Sequence, residues 1–272
     1  MNQTPRGEQA NPESDLPMAV GLMVVGDEIL SGKRQDKHFS RVVSLLAERG
    51  IELSWAHFVG DDAAAIAEVL RKAMARGDAV LSCGGIGATP DDQTRQGAAL
   101  AFGLEIARHP EAAATIERQY GASAAPNRLK MADFPAGASL IPNPVNQVPG
   151  FSVGHCYFVP GFPEMAWPML TWVLDGPLAG LRNGEPPVEY RLRVLGTAGE
   201  GDLLELMEQV LRDWPGIRLS SLPTRGTADR PRHIEFGIKG PQGLAAPAFS
   251  QLRAALAARQ DLDIEDLATP GA

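Results

Sequence analysis

The segment from Gly84 to Thr94, GGIGATPDDQT, places three glycines, two threonine hydroxyls and two adjacent carboxylates in one short stretch. Glycine lets a backbone come close to a bulky anion, and a helix start directly after it offers unpaired N–H groups. Gly84, Gly85, Gly87, Thr89 and Thr94 are therefore candidate phosphate contacts. Asp91 and Asp92 would repel that phosphate unless a hard divalent cation lay between, which points to a Mg²⁺-like ion bridging protein and ligand. The same two aspartates equally suit an N-cap pair after an ordinary strand-to-helix turn.

A second acidic pair, Asp27-Glu28, follows the first apolar run. Asp27 joins Asp91 and Asp92 as a candidate metal ligand and catalytic carboxylate; Glu28 is either a ligand contact or an acid complementing a helix start. Asn127 and Lys130 are candidate phosphate contacts, whereas Arg128, Lys33 and Arg34 read equally as solvated charges. Cys83 and Cys156 lie outside any C-x-x-C pattern, so neither a disulfide framework nor a structural zinc site is indicated and a reducing cytoplasm fits. The five histidines show no i,i+3 or i,i+4 pairing, which argues against a zinc site; His38 alone stands where it could touch a ligand. Trp167 and Trp172 read as packing residues.

The elements that must position these residues are strands at Met18–Val25, Ile51–Val59 and Asp78–Ser82, alternating with helices at Asp36–Arg49, after a cap at Asp61, and at Gln93–Phe102. Three strand–helix units in succession predict an α/β domain with a mainly parallel sheet, whose ligands bind beyond the carboxyl ends of the strands. The loops Gly26–Gly32 and Gly84–Thr94 sit at those ends. Further helices are expected at Glu111–Tyr120 and Pro163–Leu174, and short strands at Ser139–Pro142 and Cys156–Val159. After a linker at 181–187, strands at Glu189–Leu195, Ile217–Leu222 and His233–Ile238 and helices at Asp202–Asp213 and Pro247–Ala258 predict a small α+β domain. The domains are placed at residues 18–180 and 188–262, with disordered tails at 1–17 and 263–272.

With 272 residues, 25 basic against 33 acidic side chains and a formal charge of −8, the chain has the wrong sign for a protein whose main partner is nucleic acid. No apolar run approaches the length of a bilayer span, so no membrane partner is expected either.

Taken together, the Gly84 motif and Gly26-Asp27-Glu28-Ile29-Leu30-Ser31-Gly32 resemble the MoaB/MogA molybdopterin-binding fold, and specifically the N-terminal domain of the competence/damage-inducible protein CinA family. Val59-Gly60-Asp61-Asp62, the segment from Asn127 to Gly137 and Pro160-Gly161-Phe162-Pro163-Glu164-Met165 resemble further family motifs, densely over residues 19–174. Gly199-Glu200 and Ser220–Pro223 carry the likeness more weakly. The resemblance implies a three-layer α/β/α domain, a homo-oligomer and a small-molecule nucleotide or pterin ligand. It also implies a metal-dependent pyrophosphatase acting on ADP-ribose or a related dinucleotide such as FAD. In that reading a divalent ion is held by Asp91, Asp92 and Asp27, and Glu164 belongs to a ligand-side loop. The alternative is a molybdopterin- or nucleotide-binding module without turnover, and a third reading is adenylyl transfer using ATP.

The chain departs from the family pattern at three places. Gln35-Asp36-Lys37-His38 replaces an asparagine-bearing element, and Asn146-Gln147 replaces a Gly-Thr step. The loop holding Glu164 is also one residue short. No nicotinamide-mononucleotide deamidase activity is expected, because the segment that carries it in longer family members has no counterpart in this sequence.

Overall fold

Six consecutive apolar or small residues, Val20–Val25, form β1, which is buried along its whole length. An apolar run of that kind suits the middle of a parallel sheet covered on both faces. The computed structural model describes residues 16–182, 187–226 and 231–267, and these fall into two compact units that divide after Asn183.

In the first unit β1 lies between β2 (Leu53–Val59) and β3 (Ala79–Cys83), parallel to both. β8 (Cys156–Val159) continues the sheet parallel to β3, and β7 (Gly150–Val153) and β6 (Ser139–Ile141) complete it antiparallel, in the order β2-β1-β3-β8-β7-β6. The expected mainly parallel sheet is present, with an antiparallel edge. A separate short ribbon pairs β4 (Ile106–Arg108) with β5 (Asp133–Pro135).

Strand alternation sends Met23 and Val25 to one face and Leu22 and Val24 to the other. The first face packs against α3 (Ala63–Arg76), α4 (Thr94–Phe102) and α5 (Pro110–Tyr120), through Ile66, Leu70, Ala98 and Ile116. The second packs against α2 (His38–Ala47) and α6 (Pro163–Asp175), through Leu45, Leu46, Met169 and Leu170. The unit is thus a three-layer α/β/α sandwich. Phe134, Phe151 and Phe158 stack through the first core with ring centroids 4.8 and 4.5 Å apart.

In the second unit an antiparallel sheet of order β10-β11-β9-β12 (Arg218–Thr224, His233–Gly240, Val188–Gly196, Leu262–Leu267) packs on α7 (Leu204–Asp213) and α8 (Gln242–Ala257). Two expectations are corrected here. Residues 263–267 are not a tail, because β12 pairs antiparallel with β9 from Leu262 to Leu267 and satisfies the backbone of what would otherwise be the open edge of β9. α8 also starts five residues before Pro247 and runs through it. Of the expected tails, residues 1–15 and 268–272 lie outside the described residues, as does 183–186 of the linker. No helix among the described residues is long and apolar enough to cross a membrane.

Candidate functional site

Beyond the carboxyl ends of β3 and β8 lies a cavity of about 420 Å³. Its floor is the loop Gly85–Thr89 with Asp92, and its walls are Ile86, Met131, Val148, Phe162 and Met165. Asn143 and Asn146 add two amides. Four of the sequence-predicted residues, Gly85, Gly87, Thr89 and Asp92, therefore converge on one concave surface.

The loop owes its shape to bonds behind it. The Gly84 N–H donates to Val159 O at 3.0 Å, and the Thr94 N–H donates to Gly85 O at 3.0 Å. The buried Thr94 hydroxyl donates to Gly84 O at 2.9 Å. Gly85 has φ +68°, in the left-handed region, and a side chain there would run into the Thr94 hydroxyl. Thr94 is thus a brace behind the loop, and its expected ligand contact is corrected: its one hydroxyl hydrogen is already spent.

Asp92 resolves the choice between ligand and cap in a third way. Its carboxylate accepts from the Thr89 N–H at 3.0 Å and from the Thr89 hydroxyl, closing the loop on itself. α4 begins instead after Gln93, with no side-chain cap. Asp91 is exposed beside it.

Asp27 belongs to a second group. Its backbone N–H donates to Asp61 Oδ2 at 2.9 Å, and the Asp61 N–H returns a bond to Asp27 Oδ1 at 3.2 Å. The cap of α3 falls to Asp62, which accepts from Ala65 N at 2.7 Å, and not to Asp61. Burial raises the Asp61 carboxyl above its ordinary range, and the charges of Asp27, Glu28 and Asp91 push it the same way. Four carboxylates thus share one region at the ends of β1, β2 and β3, and no salt bridge reaches them among the described residues. Among those residues no three His, Cys, Asp or Glu side chains stand together as a ready-made metal cage. The donors are nonetheless the hard oxygens that Mg²⁺ takes, and their mutual repulsion is what a cation would relieve. Asp27 and Asp91, two of the expected ligands, both act on the Asp61 carboxyl, while Asp92 is bonded to Thr89.

Asn127, Lys130 and Glu164 are exposed and do not line the cavity; their neighbours Met131 and Met165 do. Arg128 donates to Ser123 O at 2.8 Å and covers the Tyr120 ring, a structural use of its charge. Glu28 lines a second cleft of about 380 Å³ with Arg34, Lys37 and His38, and Gly161 is common to both hollows. His38 is buried and bonds through Nε2 to Gly161 O at 3.2 Å, so that nitrogen carries the hydrogen. Where the family pattern has a Gly-Thr step, Asn146 Oδ1 accepts from Asn143 Nδ2 at 2.8 Å and from Val148 N at 3.1 Å, while Gln147 takes φ +61°.

Two residues were missed by sequence reasoning. Asp61 was read as a helix cap, although its position in VGDD after β2 already placed it at a strand end. Arg95 had no local signal: only the packing of α4 shows that its guanidinium turns inward, donating to Gly87 O and Lys130 O.

The family described as "probable molybdopterin binding domain" matches residues 21–179. Among curated relatives, a CinA-like protein of Citrifermentans bemidjiense is 36% identical over 210 residues, covering 75% of this chain and 50% of the relative. One of Anaeromyxobacter sp. is 31% identical over 247 residues, covering 83% and 60%. The chain thus spans about half the length of the curated relatives it matches. A solved structure of the protein CinA from Thermoplasma acidophilum is 32% identical with a TM-score of 0.54, over 58% of this chain and 97% of that one. The fold is of the MoaB/MogA kind. By sequence and by fold, the chain belongs to the CinA family of probable molybdopterin-binding domains.

Proposed function

We infer that the first unit binds a phosphorylated heteroaromatic molecule in the 420 Å³ cavity and, with a divalent ion, hydrolyses the diphosphate of ADP-ribose or a related dinucleotide such as FAD. The observation that carries this reading is the meeting of a glycine loop at a strand end with an apolar, amide-bearing wall. The loop's backbone takes a phosphate, and Ile86, Met131, Phe162 and Met165 take a flat ring. Asn146 uses its carbonyl oxygen on Asn143 and Val148, leaving its N–H₂ as a donor for a ring edge.

Turnover requires water to attack one phosphorus, the bridging P–O bond to break, and the released phosphate to carry away the proton. A divalent ion held by Asp27, Asp61 and Asp91 would supply charge neutralisation and a more acidic bound water. The protein's own contribution is to fix one phosphate on the Gly85–Thr89 loop and to shield it from bulk water beneath Phe162 and Met165.

A second reading, a nucleotide- or pterin-binding module without turnover, is favoured by one observation: Asp92 is occupied by Thr89. Incubation of the pure protein with ADP-ribose and Mg²⁺ separates the two. Formation of AMP and ribose 5-phosphate that chelation abolishes supports hydrolysis; tight binding of ADP-ribose with no AMP leaves the binding module.

A further inference from the structure

Arg95 is 4% exposed, at the second position of α4, and among the described residues no salt bridge reaches it. Its guanidinium donates through Nη2 to Gly87 O and through Nη1 to Lys130 O, while the buried Nε has no partner. The carboxylates acting on it from longer range are both engaged elsewhere: Asp92 accepts from Thr89, and Asp133 pairs with Arg108 at 2.7 Å. Desolvation pushes the Arg95 guanidinium below its ordinary range, while the charges of Asp92 and Asp133 act the other way from a distance. Buried charges persist in folded proteins when something compensates them. Carbonyl dipoles from Gly87 and Lys130 do part of this, and among the described residues no carboxylate contacts the guanidinium.

The two carbonyls locate the missing charge. Gly87 is in the floor of the cavity, and Lys130 directly precedes Met131, one of its walls. Arg95 therefore ties floor to wall from behind, with its positive charge beneath the loop.

We propose that Arg95 is the positioning residue through which this site selects an anionic group. A phosphate or diphosphate over the Gly85–Thr89 loop supplies the counter-charge that the protein withholds, and its arrival tightens the loop and the segment 128–132 together. The inference rests on the reading of this cavity as a phosphate site and adds the source of its charge selectivity. An uncharged ring compound of the same shape satisfies the apolar walls but leaves Arg95 uncompensated, so it binds more weakly. Lysine at this position keeps the charge yet cannot reach both carbonyls, because it lacks the fork.

The test measures AMP and adenosine by calorimetry in the presence of Mg²⁺, with inorganic pyrophosphate as a ring-free probe. The full chain is compared with Arg95→Gln and Arg95→Lys, each checked for folding by circular dichroism. In the parent, AMP and pyrophosphate bind and adenosine binds at least roughly tenfold more weakly than AMP. Arg95→Gln brings the AMP and adenosine affinities together and loses pyrophosphate binding, and Arg95→Lys recovers part of the gap. An unchanged AMP-to-adenosine ratio in Arg95→Gln overturns the role of Arg95 while leaving the phosphate site standing. A parent that binds neither AMP nor pyrophosphate overturns both. Hydrogen exchange on the parent alone gives a second readout if Arg95→Gln does not fold. Pyrophosphate is expected to slow exchange in 85–89 and in 128–132 together, and slowing confined to 85–89 overturns the coupling.

Discussion

Asp27 and Asp61, 34 residues apart, each donate a backbone N–H to the other's carboxylate, which latches the loop after β1 to the loop after β2. The latch sets two negative charges side by side, with Glu28 and Asp91 acting on the same carboxyl of Asp61. Geometry is stabilised there while electrostatics is not.

Asp61→Asn separates those two contributions. The amide oxygen still accepts from the Asp27 N–H, while one charge disappears. A carboxyl whose folded-state affinity for protons is raised contributes stability at low pH and loses it as pH rises through its folded value. At pH 7 and low salt the variant is therefore expected to melt above the parent, and the difference should shrink as pH falls into the carboxylate range. A variant that melts well below the parent at pH 7 would show that the charge itself stabilises the latch.

The acidic pair after the glycine loop gives a second prediction. Asn in place of both Asp91 and Asp92 keeps an acceptor for the Thr89 N–H, so the loop should stay closed and the protein folded. Two of the charges that attract a cation are gone. Metal-dependent binding of ADP-ribose should then be lost in calorimetry, and chelation should weaken binding in the parent as steeply. Full metal-dependent affinity in the double variant, or tight metal-free binding in the parent, rules out the metal bridge.

Thr94→Val tests the brace behind the loop. The shapes of the two side chains are alike, but the variant leaves Gly84 O without its buried hydroxyl donor. A loss of about 1–3 kcal/mol in unfolding free energy is expected from urea titration. No measurable loss would mean that the loop rests on its backbone bonds to Val159 and Thr94 alone.

Both cysteines should be silent in the native protein. Burial pushes the Cys156 thiol up to about 12 and the Cys83 thiol up as well, so almost no thiolate exists near pH 8. Ellman's reagent is expected to count no thiols in buffer and two in guanidinium. Rapid reaction of either without denaturant would contradict the closed core around β3 and β8.

The sequence by itself determined what short-range chemistry determines. The apolar run of β1, the glycine loop after β3 and the start of α4 next to it were legible because each is written in neighbouring residues. They are enough to place a candidate ligand site at the strand ends. β12 was legible in principle, since Leu262 and Ile264 alternate with acids, yet only its pairing with β9 makes that alternation a strand. Tertiary structure decided the rest. It turned the Thr94 hydroxyl onto Gly84 O and bonded Asp92 to Thr89, joined Asp61 to Asp27 across 34 residues, and brought Met131, Asn146 and Phe162 from separate segments into one wall. It also drove Arg95 inward. A side chain's direction depends on what the rest of the chain packs against its helix or loop, and that information is spread over residues that local spacing does not connect.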